Sequence, residues 1–162
     1  MQIYQQEFLI GAQTLSSGNY QDAIIHLEKA LSLAKLAGLN LMDDTFETGY
    51  FNLGQAKKAL GDYNGAINDF QEALKINPSR LESAYLHISE CCFELDTHKS
   101  ISIAVACLNS CTKYFPKNES AFINKGIAYL KLSDTVNAKS AFQSSKLLGN
   151  NDADKFIRDY CS

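Results

Sequence analysis

The sequence predicts an all-α fold that is assembled from repeated pairs of helices. Only 2 of the 162 residues are prolines, and this scarcity favours helices because proline breaks helix interiors. Glycine, alanine and aromatic residues recur along the chain at intervals of 34 to 43 residues, and Ala104 and Ala138, for example, are 34 residues apart. Such a period is typical of helical repeats that stack and bury a continuous core.

The composition is that of a globular chain with a slightly acidic balance. Lys plus Arg is 15, Asp plus Glu is 18 and the formal net charge is −3. This balance argues against a nucleic-acid partner, because duplex binding needs a dense basic face. No apolar run approaches the ~18 residues of a membrane span, and residues 1–7 lack the basic region of a secretory signal. The five cysteines, an odd number, do not fit a secreted disulfide framework, so we expect a cytoplasmic protein with no membrane partner.

The clearest repeat covers residues 47–80, which is 34 residues. Gly54 and Ala66 are small, which predicts a close approach of two antiparallel helices at these positions. Gly61 predicts the tight turn between the helices, and aromatic residues of the second helix fill the space between them. Pro78 predicts the end of that second helix.

The same pattern predicts three further repeats and a ninth helix. The remaining repeats cover approximately residues 4–37, 82–118 and 119–151. In the first repeat no proline stops the second helix, so we expect it to continue to a C-cap at Gly38. In the third we expect a longer turn between the helices, at residues 96–99. Residues 152–161 place apolar side chains on one helical face that would cover the last repeat, so we expect a single complete domain over residues 1–162.

These repeats resemble the tetratricopeptide-repeat family. In the second repeat the resemblance rests on Leu53, Gly54, Gly61, Tyr63, Ala66, Phe70, Ala73, Leu74 and Pro78. The third repeat is degenerate, with Ser89 in place of a glycine and Cys92 where an aromatic residue is usual. The resemblance covers almost the whole chain. It implies a right-handed α-solenoid of four helix-turn-helix repeats with a C-terminal capping helix.

The family resemblance also implies a concave groove, lined by the first helix of each repeat, that binds a peptide or helix of another protein. The corresponding positions in this chain are Phe8, Ala12, Phe51, Asn52, Gln55, Leu86, His87, Glu90, Ile123, Asn124 and Ile127. Two rows of side chains run along this surface, an apolar row of Phe8, Phe51, Leu86 and Ile123 and a polar row of Asn52, His87 and Asn124. Asparagine amides can both donate to and accept from a peptide backbone. The alternative interpretation is that the aromatic residues pack against neighbouring helices and the asparagines only contact solvent.

One subfamily binds the C-terminal carboxylates of chaperones with lysine, arginine and asparagine side chains. Only Asn52 matches that set, and the other positions hold Phe8, Ala12, Ser83 and His87. No cationic pair is available, so we do not expect a dicarboxylate-clamp chaperone tail as the ligand.

Cysteine and histidine residues are the candidates for a metal site. Cys107 and Cys111 are four residues apart on one predicted helix, and His98 and Cys92 lie on or near its partner helix. The recognised zinc spacings are absent, and buried cysteine behaves as a small apolar residue. We therefore expect no metal and no other cofactor. We also expect His26 and His98 to be exposed to solvent.

The sequence contains no phosphate-binding glycine loop, GxSxG elbow or HExxH helix, so we do not expect this protein to be an enzyme. It predicts a monomeric, non-catalytic scaffold or adaptor that binds a partner protein. Two alternatives are a small secretion chaperone of the same repeat class and a self-assembling structural subunit. The dependence of molecular size on concentration would separate an adaptor from an assembling subunit.

Overall fold

The computed structural model describes residues 2–161, and these residues form α-helices joined by short connections. The helices are α1 (Ile3–Ser16), α2 (Tyr20–Leu36), α3 (Asp44–Ala59), α4 (Tyr63–Ile76), α5 (Glu82–Leu95), α6 (His98–Tyr114), α7 (Glu119–Lys131), α8 (Thr135–Leu147) and α9 (Ala153–Tyr160). No strand is present in this part of the chain, and the predicted all-α class is confirmed. None of the described helices combines the length and the apolar character that crossing a membrane requires.

The chain divides into two compact units, the first ending at Ala84 and the second beginning at Tyr85. The first unit contains the helix pairs α1–α2 and α3–α4. The second contains most of α5 together with α6, the pair α7–α8 and the final helix α9. The single domain over residues 1–162 stays a prediction.

In the first unit, the two helices of each pair approach closely where a glycine faces a large side chain. A Cβ atom added to Gly54 would lie 2.7 Å from the ring of Phe70, and one added to Gly11 would lie 2.7 Å from Cγ of Leu27. Phe70 and Leu27 are both fully buried. The absence of a glycine side chain therefore allows α4 to pack on α3 and α2 to pack on α1.

The second unit uses the same contact between α7 and α8. A Cβ atom added to Gly126 would overlap the ring of Phe142, which is fully buried. In all three pairs the large residue follows the glycine by sixteen positions. In the third predicted repeat, Ser89 takes the place of the glycine. It is fully buried, and its hydroxyl donates to the Leu86 carbonyl oxygen at 2.8 Å.

The turn between α5 and α6 differs from the prediction. Only two residues separate these helices, whereas three separate the helices of the other pairs. Asp96 adopts a positive φ of 44°, and Thr97 caps α6 by accepting a hydrogen bond from the Ser100 N–H at 3.1 Å. The prediction of a longer turn is wrong because this cap starts α6 early. The extra residues are helical, and α6 has 17 residues where α4 has 14.

The predicted ends of α2 and of the chain agree with the structure. Gly38 adopts a φ of +75° directly after the C-cap of α2, and its N–H donates to the Lys35 carbonyl oxygen at 3.0 Å. At the other end, α9 packs on the last helix pair through stacked rings of Phe156 and Phe142, whose centroids are 4.9 Å apart. The sequence pattern places Tyr160 on the same apolar face of α9, but its side chain is 59% exposed.

The helix-pair contact can be tested by overpacking it. We expect Gly54→Leu and Ala66→Leu each to lower the free energy of unfolding by roughly 1–3 kcal/mol or more, since the added atoms meet Phe70 or a fully buried position. Urea denaturation measures the change. Ala59→Leu adds the same bulk at an exposed position of α3 and should change stability little. Stabilities of Gly54→Leu and Ala66→Leu equal to that of the native protein would contradict this packing.

Candidate functional site

A concave pocket of about 490 Å³ lies between α1 and α3 in the first unit. It is lined by Tyr4, Gln5, Phe8, Leu9 and Ala12 of α1 and by Asp44, Thr45, Thr48 and Asn52 of α3. Most of these residues recur every four positions, so they lie on one face of each helix. The volume falls within the ~300–1,000 Å³ of small-ligand pockets. We call this surface the α1–α3 pocket.

Gly49 sets the distance between the two helices that form the α1–α3 pocket. A Cβ atom added to Gly49 would lie 2.7 Å from Cε1 of Phe8 and 2.8 Å from Cδ2 of Leu31. The Phe8 ring therefore contacts the backbone of α3 with one edge and lines the pocket with the rest. Sequence reasoning did not single out Gly49. The sequence does contain a signal for this contact. A glycine inside a helix lowers the free energy of unfolding by about 1 kcal/mol relative to alanine, and it therefore marks a position where another element approaches closely.

The first turn of α3 makes one end of the pocket acidic. Asp43 is the N-cap, and its carboxylate accepts a hydrogen bond from the Thr45 N–H at 2.8 Å. Asp44 lines the pocket, and its carboxylate accepts from Nη1 of Arg80 at 2.9 Å. Both partners of that ion pair are more than half exposed, so solvent screens the pair. None of the described residues that line the pocket is a lysine or an arginine.

Glu47 lies in the same turn but points into the protein, where it is only 3% exposed. Its Oε1 atom is 3.9 Å from Nε of Arg80, and its Oε2 atom is buried without a hydrogen-bond partner among the described residues. Burial raises the pKa of Glu47, and the charge of Asp44 adds to this effect while the charge of Arg80 opposes it. The acidic end is therefore only partly neutralised by Arg80.

The predicted groove residues of the first unit divide into two groups. Phe8, Ala12 and Asn52 line the α1–α3 pocket. Phe51 is half-buried, and its ring packs edge-on against Phe70 at a centroid distance of 5.6 Å. Gln55, one turn beyond Asn52, is also half-buried. The packing of Phe51 agrees with the alternative interpretation of the aromatic residues, so its side chain contributes to the core of the α3–α4 pair.

In the second unit, the predicted polar groove residues have partners within the protein. The His87 ring Nδ1 lies 3.2 Å from Oε2 of Glu90 on the next turn of α5. The Asn124 side-chain amide donates to the Ser89 hydroxyl oxygen at 3.3 Å. A ligand amide would compete with this contact at Asn124.

The predicted apolar groove residues of the second unit are half-buried. Ile123 and Ile127 pack against a core cluster that contains Phe142 and Ala153. Leu86 on α5 is half-buried as well. Both isoleucines therefore pack part of their side chains against the core of the C-terminal helices. A sequence pattern does not reveal this packing.

A second cavity, of about 270 Å³, lies among α2, α3 and α4. Its charged groups are paired with one another or with a ring. Nζ of Lys57 lies 2.8 Å from Oδ2 of Asp69, and Nζ of Lys35 lies 5.6 Å from the centroid of the Tyr50 ring. The charged groups of this cavity therefore already have partners within the protein.

The cysteines lie in the core, as expected. Cys91, Cys92 and Cys111 are fully buried, and the half-buried Cys107 donates from its Sγ atom to the Tyr85 carbonyl oxygen at 3.7 Å. Burial raises the pKa of the Cys92 thiol to about 12, which opposes the thiolate form that metals bind. Within residues 2–161, no cluster of three or more His, Cys, Asp and Glu residues is arranged to hold a metal ion.

One histidine differs from the expectation of solvent exposure. Nδ1 of His26 lies 2.7 Å from Oε2 of Glu7, and Nζ of Lys29 lies 2.7 Å from the other carboxylate oxygen. Hydrogen bonds from His26 and then from Lys29 lower the pKa of Glu7. The pattern alone could not show this, because the contact joins α1 to α2. His98, the first residue of α6, is exposed as expected.

The chain shares its fold with solved helical-repeat structures at 18–20% sequence identity. YrrB, a tetratricopeptide-repeat protein with an unusual peptide-binding site, gives a TM-score of 0.75 and 18% identity over 96% of this chain and 74% of its own. MamA from Desulfovibrio magneticus gives 0.71 and 20% identity over 90% and 75%. The first repeat domain of Spaghetti, bound to the HSP90 peptide SRMEEVD, gives 0.62 and 18% identity over 73% and 92%. The fold is therefore an all-α repeat solenoid.

The family model of the tetratricopeptide repeat matches residues 48–80. This range lies within the repeat that the sequence identifies most clearly. The resemblance is confirmed, and residues 48–80 are a tetratricopeptide repeat within the all-α repeat solenoid. No curated protein matches the chain.

The buried carboxyl of Glu47 gives a pH-dependent prediction. A carboxyl whose pKa is raised by folding binds its proton more tightly in the folded state, so its ionisation at higher pH lowers the free energy of unfolding. We therefore expect Glu47→Gln to raise the melting temperature near neutral pH. The gain should shrink as the pH falls through the raised pKa of Glu47, and it should be absent below the usual Glu pKa of 4.5, where the side chain is neutral in both states.

Thermal melting of both proteins across this pH range measures the effect. Glu94→Gln, at an exposed position of α5, is the control and should change little. A lower melting temperature for Glu47→Gln at neutral pH would show that the contact with Arg80 outweighs the cost of burial.

Proposed function

We propose that this protein is a non-catalytic interaction scaffold that binds a peptide segment of a partner protein in the α1–α3 pocket. The observation that carries the proposal is the composition of that pocket, with an apolar floor on α1 and a polar wall on α3. The proposed partner is another protein, since the net charge of −3 does not suit a nucleic acid.

The apolar floor consists of Phe8, Leu9 and Ala12. Leu9 is 49% exposed, and Phe8 and Ala12 are half-buried. Covering such surface yields about 25 cal/mol per Å² of apolar area removed from water. An apolar side chain of a ligand would gain this energy on entering the pocket.

The polar wall suits the backbone of a peptide. Thr45, Thr48 and Asn52 present hydroxyl and amide groups, which both donate and accept hydrogen bonds. The Asn52 side chain makes no hydrogen bond to another described residue, so its amide is available to a ligand. An extended segment could therefore place its amides along α3 while one of its side chains covers the floor.

Two solved structures of the same fold support a peptide as the class of ligand. YrrB has an unusual peptide-binding site, and the Spaghetti domain is bound to an HSP90 peptide. We include Gln55 in the proposed site because it follows Asn52 along α3. The role of the groove residues of the second unit stays a prediction. We do not include Phe51 in the proposed site, because its ring packs against Phe70.

The proposal can be tested with peptides selected on the full chain from a displayed library of random twelve-residue sequences. We expect Asn52→Ala and Ala12→Phe each to weaken the enriched peptides tenfold or more, since the first removes an amide and the second fills the pocket. Tenfold corresponds to about 1.4 kcal/mol, and central contacts often cost that much when they are lost. Fluorescence anisotropy of labelled peptides gives the dissociation constants.

The matched controls are Asn68→Ala on α4 and Lys139→Ala on α8, at exposed positions away from the pocket. Both should leave binding nearly unchanged. The proposal is wrong if no peptide is enriched, or if the control changes weaken binding and the pocket changes do not.

A further inference from the structure

We propose that the α1–α3 pocket selects peptides that carry a large apolar side chain with a lysine or arginine within two residues of it, and that it rejects acidic peptides. This inference rests on the proposed function and adds the chemistry of the ligand. It follows from the distribution of charge and apolar surface along the pocket.

The charge at the α3 end of the pocket is negative. Asp43 caps α3 and Asp44 lies in its first turn, whereas Glu47 points into the protein; Arg80 pairs with Asp44. The positive end of the α3 dipole is worth only about half an elementary charge. Hydrogen bonds donated by Thr45 to the Asp43 carboxylate lower the pKa of Asp43 and favour its ionised form. A ligand cation therefore meets uncompensated negative charge at this end.

Asp44 is the group that a ligand cation can reach. It lines the pocket, and its side chain is 70% exposed despite the contact with Arg80. The second carboxylate oxygen and the exposed side of the pair remain open to a further donor. A carboxylate in the ligand would meet the same charge with repulsion, and none of the described lining residues could neutralise it.

The length of the pocket fixes the spacing between the two ligand groups. Asp44 and Asn52 mark its ends on α3 and are eight residues apart, which is about 12 Å along a helix. An extended peptide covers that length in three to four residues at ~3.3 Å each. The Phe8 ring contacts α3 at Gly49, five residues from Asp44 and therefore about 7.5 Å along the helix. An apolar side chain over Phe8 thus places a lysine or arginine about two residues away within reach of Asp44.

The comparison with the Spaghetti domain makes the inference specific. The peptide bound there, SRMEEVD, carries three acidic residues and one basic residue. In this chain a ligand of that composition would bring its carboxylates to a pocket whose charged lining residue is Asp44. We expect the preferred ligands to have the opposite charge.

The experiment uses the peptides enriched on the native chain, the same peptides with each lysine or arginine changed to glutamate, and SRMEEVD as the acidic probe. Anisotropy titrations are made against the native protein, Asp44→Lys, Asp44→Asn and the control Asp22→Lys on the exposed face of α2. Circular dichroism verifies that each variant is folded.

We expect the charge-changed peptides to bind the native protein at least tenfold more weakly. Asp44→Lys should reverse the preference, Asp44→Asn should abolish it, and Asp22→Lys should keep it.

The outcomes separate this inference from the proposed function. If Ala12→Phe abolishes binding but the glutamate peptides bind the native protein as well as the originals, the charge preference is wrong and the peptide-binding pocket stands. The charge preference is also wrong if SRMEEVD binds as tightly as the enriched peptides. If no peptide is enriched, or if the enriched peptides bind Ala12→Phe as tightly as the native protein, both proposals are wrong.

Discussion

The contact between a glycine of one helix and a large side chain of the next is the constraint on which the other features depend. It recurs at Gly11, Gly54 and Gly126, each of which would place a Cβ atom within 3 Å of the facing side chain. Such distances leave no room for a methyl group. Because the large residue always follows by sixteen positions, the helices of a pair cannot slide relative to each other without losing the contact.

The α1–α3 pocket is a consequence of this packing together with one further glycine. Tight pairs present their first helices as rigid surfaces, and Gly49 brings α1 against α3 through the edge of the Phe8 ring. The pocket then forms beside that contact from the turns that are left uncovered. Its floor is apolar because the Phe8 ring that contacts Gly49 also lines the pocket. One end of the pocket is acidic because carboxylates favour the first turn of a helix.

Much of the fold follows from local patterns in the sequence, whereas the site follows only in part. Gly54 and Phe70 are recognisable from spacing, and Gly38 is recognisable as a helix end, because each depends on residues close in sequence. The turn before α6 was mispredicted because the Thr97 cap competes with a longer loop. Asn52, which the sequence predicts as a groove residue, lines the α1–α3 pocket. The hydrogen bond from Asn124 to Ser89 joins separate helices, and no local pattern contains that information.

The most direct test of the account is a crystal structure of the full chain with a selected peptide bound. We expect the peptide to lie along α1 and α3, with an apolar side chain against Phe8 and Ala12 and its backbone within hydrogen-bond distance of Asn52. A peptide seated on the outward faces of α2 and α4, with the α1–α3 pocket filled only by solvent, would contradict it.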